Sequence, residues 1–211
     1  MPAIGGKYLG VHSELICANS AYFSRDANQG RTHYGFPGVE ETVLNCYINW
    51  LYTGTICSKE GLLGLPGVED PEYVALAKLY ILSKQIEDSN FAGAVTNAFL
   101  TKLRERKSSS SKALPGVSCI ALVFSSGAPT DKLAQLILEA YARDGNLSDL
   151  RDKKAPIHPV FMHELACLLL ETRAKPNNTG GLQRLDQCDF HQHPRGAACD
   201  VENRPRKHKR V

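Results

Sequence analysis

The chain of 211 residues is 43% hydrophobic and 22% charged, a balance that allows one or two folded domains with a buried core. Its net charge of +3 is too small to indicate nucleic-acid binding by itself. The positive excess is concentrated in residues 204–210. No apolar run approaches the roughly 20 residues that span a bilayer, so we do not expect a membrane partner.

Seven cysteines are scattered along the chain without a C-x-x-C pair. The first residues, MPAIGGKYLG, lack both the charged region and the apolar run of a secretory signal. An odd number of thiols without such a signal favours a reducing compartment. We therefore expect an intracellular protein, either cytoplasmic or nuclear.

The first elements are a short β-like segment and a helix. KYLGV follows Gly5-Gly6, a pair that often marks a hairpin turn, but only MPAI precedes the glycines. We therefore expect no strand before them and a shortened N-terminus. Apolar residues at helical spacing then predict one helix over about residues 12–24. The polar run RDANQGRTHYG predicts a loop with at most one short strand.

A second helix is predicted in FPGVEETVLNCYINWLYTG, and it should end at Gly54, where glycine suits the left-handed end of a helix. An extended segment should begin with the following TIC. Trp50 lies off the apolar stripe, so it either covers a neighbouring helix or, with Tyr52, anchors a partner. The stripe itself consists of Val43, Leu44, Tyr47, Ile48 and Leu51.

Two further helices follow a Gly/Pro-rich insert, SKEGLLGLPGVE. Asp70 and Pro71 are typical of a helix start, and a fourth helix is predicted to begin near Ser89. The buried face of the third helix should hold Tyr73, Leu76, Ala77, Tyr80 and Ile81. That of the fourth should hold Phe91, Val95, Ala98, Phe99 and Leu103.

The charged and then serine-rich run at 104–116 predicts a linker. Three helical patterns follow within 117–175. VSCIALVF also fits a strand, but its helical surroundings favour a helix. DKLAQLILEAYARD should be capped by Thr130, and PVFMHELACLLLETRAK should begin at Pro159. The polar composition of 176–211 predicts a disordered tail.

Three pieces of the first hundred residues resemble BTB/POZ domains. VHSELICANSAYF is similar to the entry into their first helix, and WLYTGTI to a helix end followed by a short strand. LAKLYILSKQIEDSNFAGAVTNAFL is similar to their closing helix pair. The WLYTG form and the helices after the linker most resemble the fungal members of the family.

The resemblance implies a helical cluster, flanked by a small sheet, that serves protein–protein contact. Such domains often form dimers, and some recruit the cullin scaffold of ubiquitin ligases as substrate adaptors. The family's first strand, which pairs with the segment around Tyr8, is expected to be missing here through a truncated N-terminus, or else to be donated by another chain. Cullin-binding members also carry an apolar-x-Glu triplet after the first helix, and its absence argues against cullin recruitment.

Two segments of the first part of the chain also suggest chemistry. His12 precedes a helix, but no catalytic partner stands at a suggestive spacing, and the resemblance implies a structural role. GLLGLPG at 61–67 looks like a phosphate loop. Because Pro66 lacks an N–H and acidic residues surround the segment, a flexible insert is the favoured interpretation.

The tail offers two alternatives of its own. One group of residues suits tetrahedral Zn²⁺, although the spacing is not that of common zinc fingers: Cys188, His191, His193 and Cys199. The basic segment, 204–210, fits either nuclear import or nucleic-acid contact, or a solvated end. It holds Arg204, Arg206, Lys207, Lys209 and Arg210.

These patterns predict an α+β fold that is mostly α. We expect a BTB/POZ-like domain over 1–103, a linker over 104–116, a helical extension over 117–175 and a disordered basic tail over 176–211. The expected function is a non-enzymatic protein–protein interaction module with no catalytic residues, cofactor or small-molecule substrate, and its partners are proteins rather than nucleic acid. The alternatives are a nuclear regulator with a zinc-organised tail that contacts nucleic acid, and a ubiquitin-ligase adaptor.

Overall fold

The computed structural model describes residues 2–4, 7–57, 71–105, 114–146, 150 and 156–173, with the backbone alone for 2–4, 7–8 and 173. Within these residues the chain is mostly helical, with eight α-helices and three short strands. The elements in chain order are β1 (Pro2–Ile4), β2 (Lys7–Tyr8), α1 (Ser13–Asn19), α2 (Ala21–Asn28), β3 (Tyr34–Gly35), α3 (Glu41–Thr53), α4 (Pro71–Gln85), α5 (Ser89–Arg104), α6 (Val117–Ser126), α7 (Lys132–Asp144) and α8 (Pro159–Arg173).

The three strands form a small sheet in the order β2-β1-β3. β1 pairs antiparallel with β2, which places Ala3 opposite Tyr8, and it pairs parallel with β3, which places Pro2 opposite Tyr34. The expectation that no strand precedes Gly5-Gly6 is therefore wrong. Three residues suffice because β1 gains hydrogen-bonding partners on both of its edges.

The predicted first helix is in fact two helices that meet at Ser20. The Ser20 backbone is extended (φ −115°, ψ 121°), and its N–H donates to the Ile16 carbonyl at the end of α1. Its side chain accepts the Phe23 N–H at 3.2 Å and so caps α2. The Ser20 hydroxyl also donates to the Ile86 carbonyl, which fixes the break against the rest of the fold. The loop after α2 contains the single short strand β3, as predicted.

The end of α3 confirms the prediction for Gly54. This residue is left-handed (φ 69°), and its N–H donates to the Trp50 carbonyl at 2.8 Å. Residues 55–57 form no strand, contrary to the implication of the family resemblance for WLYTGTI. The predicted stripe is buried at Val43, Leu44, Tyr47 and Leu51, whereas Ile48 is only half-buried.

α4 lies at the centre of the fold and packs against α3, α5 and α6. It begins at Pro71 and α5 begins at Ser89, as predicted. Four of its five predicted core residues are buried, and Ile81 is half-buried. Residues outside the predicted face are buried as well: Val74, Ala75, Leu79 and Leu82. In α5, Ala98 is half-buried, and the other predicted core residues are buried.

The three helices after the serine-rich run confirm the helical patterns, including VSCIALVF as α6. The cap predicted at Thr130 is wrong, because α7 begins one residue later with Asp131 at the capping position. Asp131 makes no side-chain capping bond, and its carboxylate accepts a hydrogen bond from the Lys84 ammonium at 3.0 Å. α8 begins at Pro159, as expected.

One hydrophobic core runs from Ile16 to Leu165 and so includes helices on both sides of the serine-rich run. α6 packs against α4, and α7 packs against α5. The end of the predicted linker contributes as well, because 114–116 are buried and the Tyr141 hydroxyl donates to the Pro115 carbonyl at 2.7 Å. The division of the chain at 104–116 stays a prediction, since 106–113 lie outside the described residues.

Candidate interaction surfaces

His12 and Tyr52 meet on the surface although 40 positions separate them. His12 lies directly before α1, and Tyr52 lies in the last turn of α3. The Tyr52 hydroxyl is 2.6 Å from Nδ1 of His12 and accepts the His12 backbone N–H at 3.2 Å. The rings meet edge to face with centroids 5.7 Å apart. Two of the segments that resemble BTB/POZ domains thus share one exposed patch, the His12–Tyr52 pair.

Trp50 packs inward, whereas Tyr52 stays 49% exposed. The indole stacks on Tyr47, with centroids 6.1 Å apart, and contacts Phe91 of α5 at 4.9 Å. The alternative in which Trp50 covers a neighbouring helix is therefore confirmed. Of the two aromatic residues considered as anchors, Tyr52 is the one that a partner can reach.

Behind this surface lies a buried polar contact between Tyr47 and Asp88. The Tyr47 hydroxyl donates to one Asp88 carboxylate oxygen at 3.0 Å, and the other oxygen accepts the Phe91 N–H at 2.8 Å. Burial raises the pKa of Asp88, although both hydrogen bonds oppose this rise. Burial, followed by the charge of Asp88, raises the pKa of Tyr47. Sequence reasoning missed Asp88, although an aspartate directly before a helix is typical of a cap.

Glu87 joins the turn between α4 and α5 to the start of α2. Its carboxylate accepts two hydrogen bonds from the Arg25 guanidinium, at 2.7 and 2.6 Å, and its carbonyl accepts the Ala21 N–H at 3.3 Å. Glu87 has a positive φ of 53°, which is unusual for a residue other than glycine. The ion pair is exposed, so solvent screening leaves it a minor contribution to stability. Its role is to orient the turn.

Two cysteines tie the segment after Gly54 back to α3. The Cys46 thiol donates to the Cys57 carbonyl at 3.1 Å, and the Asn49 amide donates to the Cys57 sulfur at 3.1 Å. Burial is the main cause that raises the pKa of Cys46 to about 11, so this thiol stays protonated near neutral pH. All cysteines in the described part of the chain are free thiols.

α8 exposes apolar side chains along one side. Of the large hydrophobic residues that are exposed in the described part of the chain, all but Tyr52 belong to this helix. Its opposite side is buried through Phe161 and Leu165, and the Phe161 ring contacts Phe124 and Tyr141 with centroids 5.3 and 5.1 Å apart. We define the outer face of α8 as Met162, Ala166, Leu169 and Leu170, which lie at i, i+4, i+7 and i+8 and so share one side of the helix.

A surface groove of about 570 Å³ lies along the junction of α7 and α8. Leu138 and Leu168 contribute apolar walls. The charged residues that line it are three glutamates and one arginine: Glu139, Glu164, Glu171 and Arg143. Arg143 donates to Glu139 through Nε at 2.8 Å, one turn apart on α7. The remaining charge of the groove is negative.

The other predicted site residues lie outside the described residues: the segment 61–67, the possible zinc ligands Cys188, His191, His193 and Cys199, and the basic segment, 204–210. Among the residues that are described, no group of three or more His, Cys, Asp or Glu side chains is placed to hold a metal ion. None of the described helices combines the length and the apolar character needed to cross a bilayer.

Comparisons with known proteins find no family model that matches this chain, and no curated protein or solved structure with significant similarity to it.

Proposed function

We propose that the chain is a non-enzymatic protein–protein interaction module of the BTB/POZ type. The outer face of α8 is the observation that carries this proposal. Leu170 is 64% exposed, and on the same face of the helix Met162 is 40% and Leu169 is 42% exposed. Apolar side chains that lie together on a surface mark sites of protein contact, because burying them against a partner is favourable.

The arrangement of the first part of the chain supports the family assignment. β1 and β2 form a hairpin, β3 joins the same sheet after α1 and α2, and α4 and α5 pack as an adjacent pair. A helical cluster flanked by a small sheet is what the resemblance implies. The His12–Tyr52 pair adds a second exposed patch on α1 and α3, which places an aromatic ring within reach of a partner.

The shifted titratable groups support contact rather than chemistry as the role of this module. Asp88 caps α5 and accepts the Tyr47 hydroxyl, so its carboxylate is engaged in holding two helices together. Cys46 stays protonated and donates to a backbone carbonyl. These groups are used to position the helices that present the surface.

Charge placed on the outer face tests the proposal. We expect the wild-type chain to self-associate as its concentration rises and the Leu170→Glu variant to stay monomeric, because the new carboxylate would have to be desolvated in the contact. Asn45→Glu, at an exposed position of α3, is the matched control and should behave as the wild type. Sedimentation velocity over a series of concentrations measures all three chains.

Two outcomes contradict the proposal. Equal self-association of the three chains would remove α8 from the contact. A wild-type chain that stays monomeric, and whose binding to other purified proteins is unaffected by Leu170→Glu, would leave the outer face of α8 without a role in binding.

A further inference from the structure

The groove between α7 and α8 has more negative than positive charge on its walls. The Arg143 guanidinium forms an ion pair with Glu139. Glu164 is half-buried and Glu171 is exposed, and neither forms an ion pair within the described part of the chain. Two carboxylates beside an apolar wall therefore take part in no ion pair there.

The shape of the groove favours an extended segment with long cationic side chains. A volume of about 570 Å³ is typical of a ligand pocket. It is too small to hold a whole helix, whose diameter is about 10–12 Å. Lysine and arginine can lay their aliphatic stems along Leu138 and Leu168 while their charged ends reach Glu164 or Glu171. The same carboxylates repel phosphate, so the groove is unsuited to nucleic acid.

We propose that this groove binds the basic segment, 204–210, of the same chain. Five of its seven residues carry a formal positive charge, which complements Glu164 and Glu171, the two carboxylates that make the groove negative. The contact is electrostatic and partly exposed, so each pair contributes modestly and salt weakens the set.

The connection is long enough for this contact. Thirty residues, 174–203, separate the end of α8 from the basic segment. Such a connection can span up to about 100 Å, whereas α8 itself is about 22 Å long. Because both partners belong to one chain, the effective concentration is high, on the order of millimolar, and weak intrinsic affinity is sufficient.

Binding in the groove would shield the basic segment from other partners. An import receptor or a nucleic acid that needs these cations would have to displace Glu164 and Glu171 first. The groove and such a partner therefore compete for the basic segment, so the contact would be autoinhibitory for any binding by that segment.

Zero-length crosslinking of the full chain tests the contact directly. A carbodiimide joins a glutamate carboxyl to a lysine amine as an amide, with loss of water that the reagent takes up as a urea. We expect amides that join Glu164 or Glu171 to Lys207 or Lys209, identified by mass spectrometry. Their yield should be at least about fivefold above that at Glu14, an exposed carboxylate of α1 that serves as the control. It should fall several-fold in about 0.5 M salt.

Mixing heavy-isotope and ordinary chains identifies the source of the segment. Crosslinks within single chains support the proposal, whereas crosslinks between heavy and light chains overturn it in favour of a second copy. Equal yields at Glu14 and at the groove would also overturn it, because they indicate random collision.

A second readout uses variants and no crosslinker. In the full chain, Glu164→Gln with Glu171→Gln should sharpen the backbone amide resonances of 204–210 by releasing the segment, and Glu14→Gln should leave them unchanged. Identical line widths in all three chains would contradict binding. Leu170→Glu should change neither readout, so that a failure of the proposed function and a failure of this contact can be told apart.

Discussion

α4 and α8 are built alike but stand in opposite surroundings. Each helix has 15 residues and begins with proline, and apolar residues lie on all sides of both. α4 is surrounded by α3, α5 and α6, and Leu76 is completely buried. α8 packs through one side only, and Leu170 is 64% exposed. A helix that is apolar all round is expected to be buried, so the exposed side of α8 is surplus apolar surface that a partner can cover.

The most direct test of this difference in burial is to replace one leucine by alanine in each helix. Leu76→Ala leaves a cavity in the centre of the core, and we expect it to lower the free energy of unfolding by about 3–5 kcal/mol. Leu170→Ala should change that free energy by less than about 0.5 kcal/mol, because its side chain already faces water. Urea unfolding at a concentration at which the chain is monomeric measures both. Equal losses would show that the two helices do not differ in burial.

A buried and an exposed leucine of α8 can be compared in the same way. Leu165 is 3% exposed and Leu169 is 42% exposed, and they lie one turn apart. We expect Leu165→Ala to cost about 2–3 kcal/mol, less than in α4 because a cavity at the edge of the core collapses more easily. Leu169→Ala should cost less than about 1 kcal/mol. Thermal unfolding of both variants is the measurement, and a reversed order would mean that α8 packs through its outer face.

A change at Asp88, in the turn between α4 and α5, should have a smaller effect on stability. Asp88→Ala removes the cap of α5 and the acceptor of the Tyr47 hydroxyl, and we expect a loss of about 1–2 kcal/mol in the free energy of unfolding. Ser89→Ala, at the first residue of α5, retains the cap and serves as the control. An unchanged stability would show that water replaces both bonds.

The titration of Asp88 has a defined sign. Because its folded-state pKa is raised above the ordinary value of 3.8, the folded protein holds this proton more firmly than the unfolded chain. The corresponding stability is complete below about 3.8 and is lost as the pH rises through the raised value. We therefore expect the stability of the wild type relative to Asp88→Asn to fall over this window. Urea unfolding at a series of pH values measures this difference, and a rise would contradict the burial of the charge.

The smallest effect concerns Tyr52, the exposed aromatic residue outside α8. Tyr52→Phe removes both hydrogen bonds with His12 and keeps the ring contact, and we expect a loss below about 1 kcal/mol because the bonds are exposed to water. The histidine ring resonances should shift in an NMR spectrum, since the hydroxyl no longer meets Nδ1. If they stay in place, the Tyr52 hydroxyl does not meet Nδ1 of His12 in solution.

Helix boundaries were predictable where backbone chemistry acts locally. Gly54 ends α3 because glycine tolerates a left-handed backbone, and Pro71 begins α4 because its ring suits the first turn. Trp50 was correctly placed off the apolar stripe of α3. Such features are decided within a few residues, so a single sequence contains what is needed to find them.

Features decided by distant residues were not predictable. The break at Ser20 depends on its hydroxyl and the Ile86 carbonyl, 66 positions away, while the apolar spacing continues through it. The pairing of His12 with Tyr52 also joins separate elements. The exposure of α8 was missed for a different reason. Its apolar pattern is that of a buried helix, and which side is covered depends on the helices that happen to pack beside it.

The bend at Ser20 also determines the return path of the chain to the sheet. Without it, α1 and α2 would form one straight rod of 16 residues, about 24 Å long. The five residues between Asn28 and Tyr34 reach at most about 18 Å, too short to travel back along such a rod. The bend at Ser20, a residue in neither strand, therefore shortens the path by which the chain returns to pair β3 with β1.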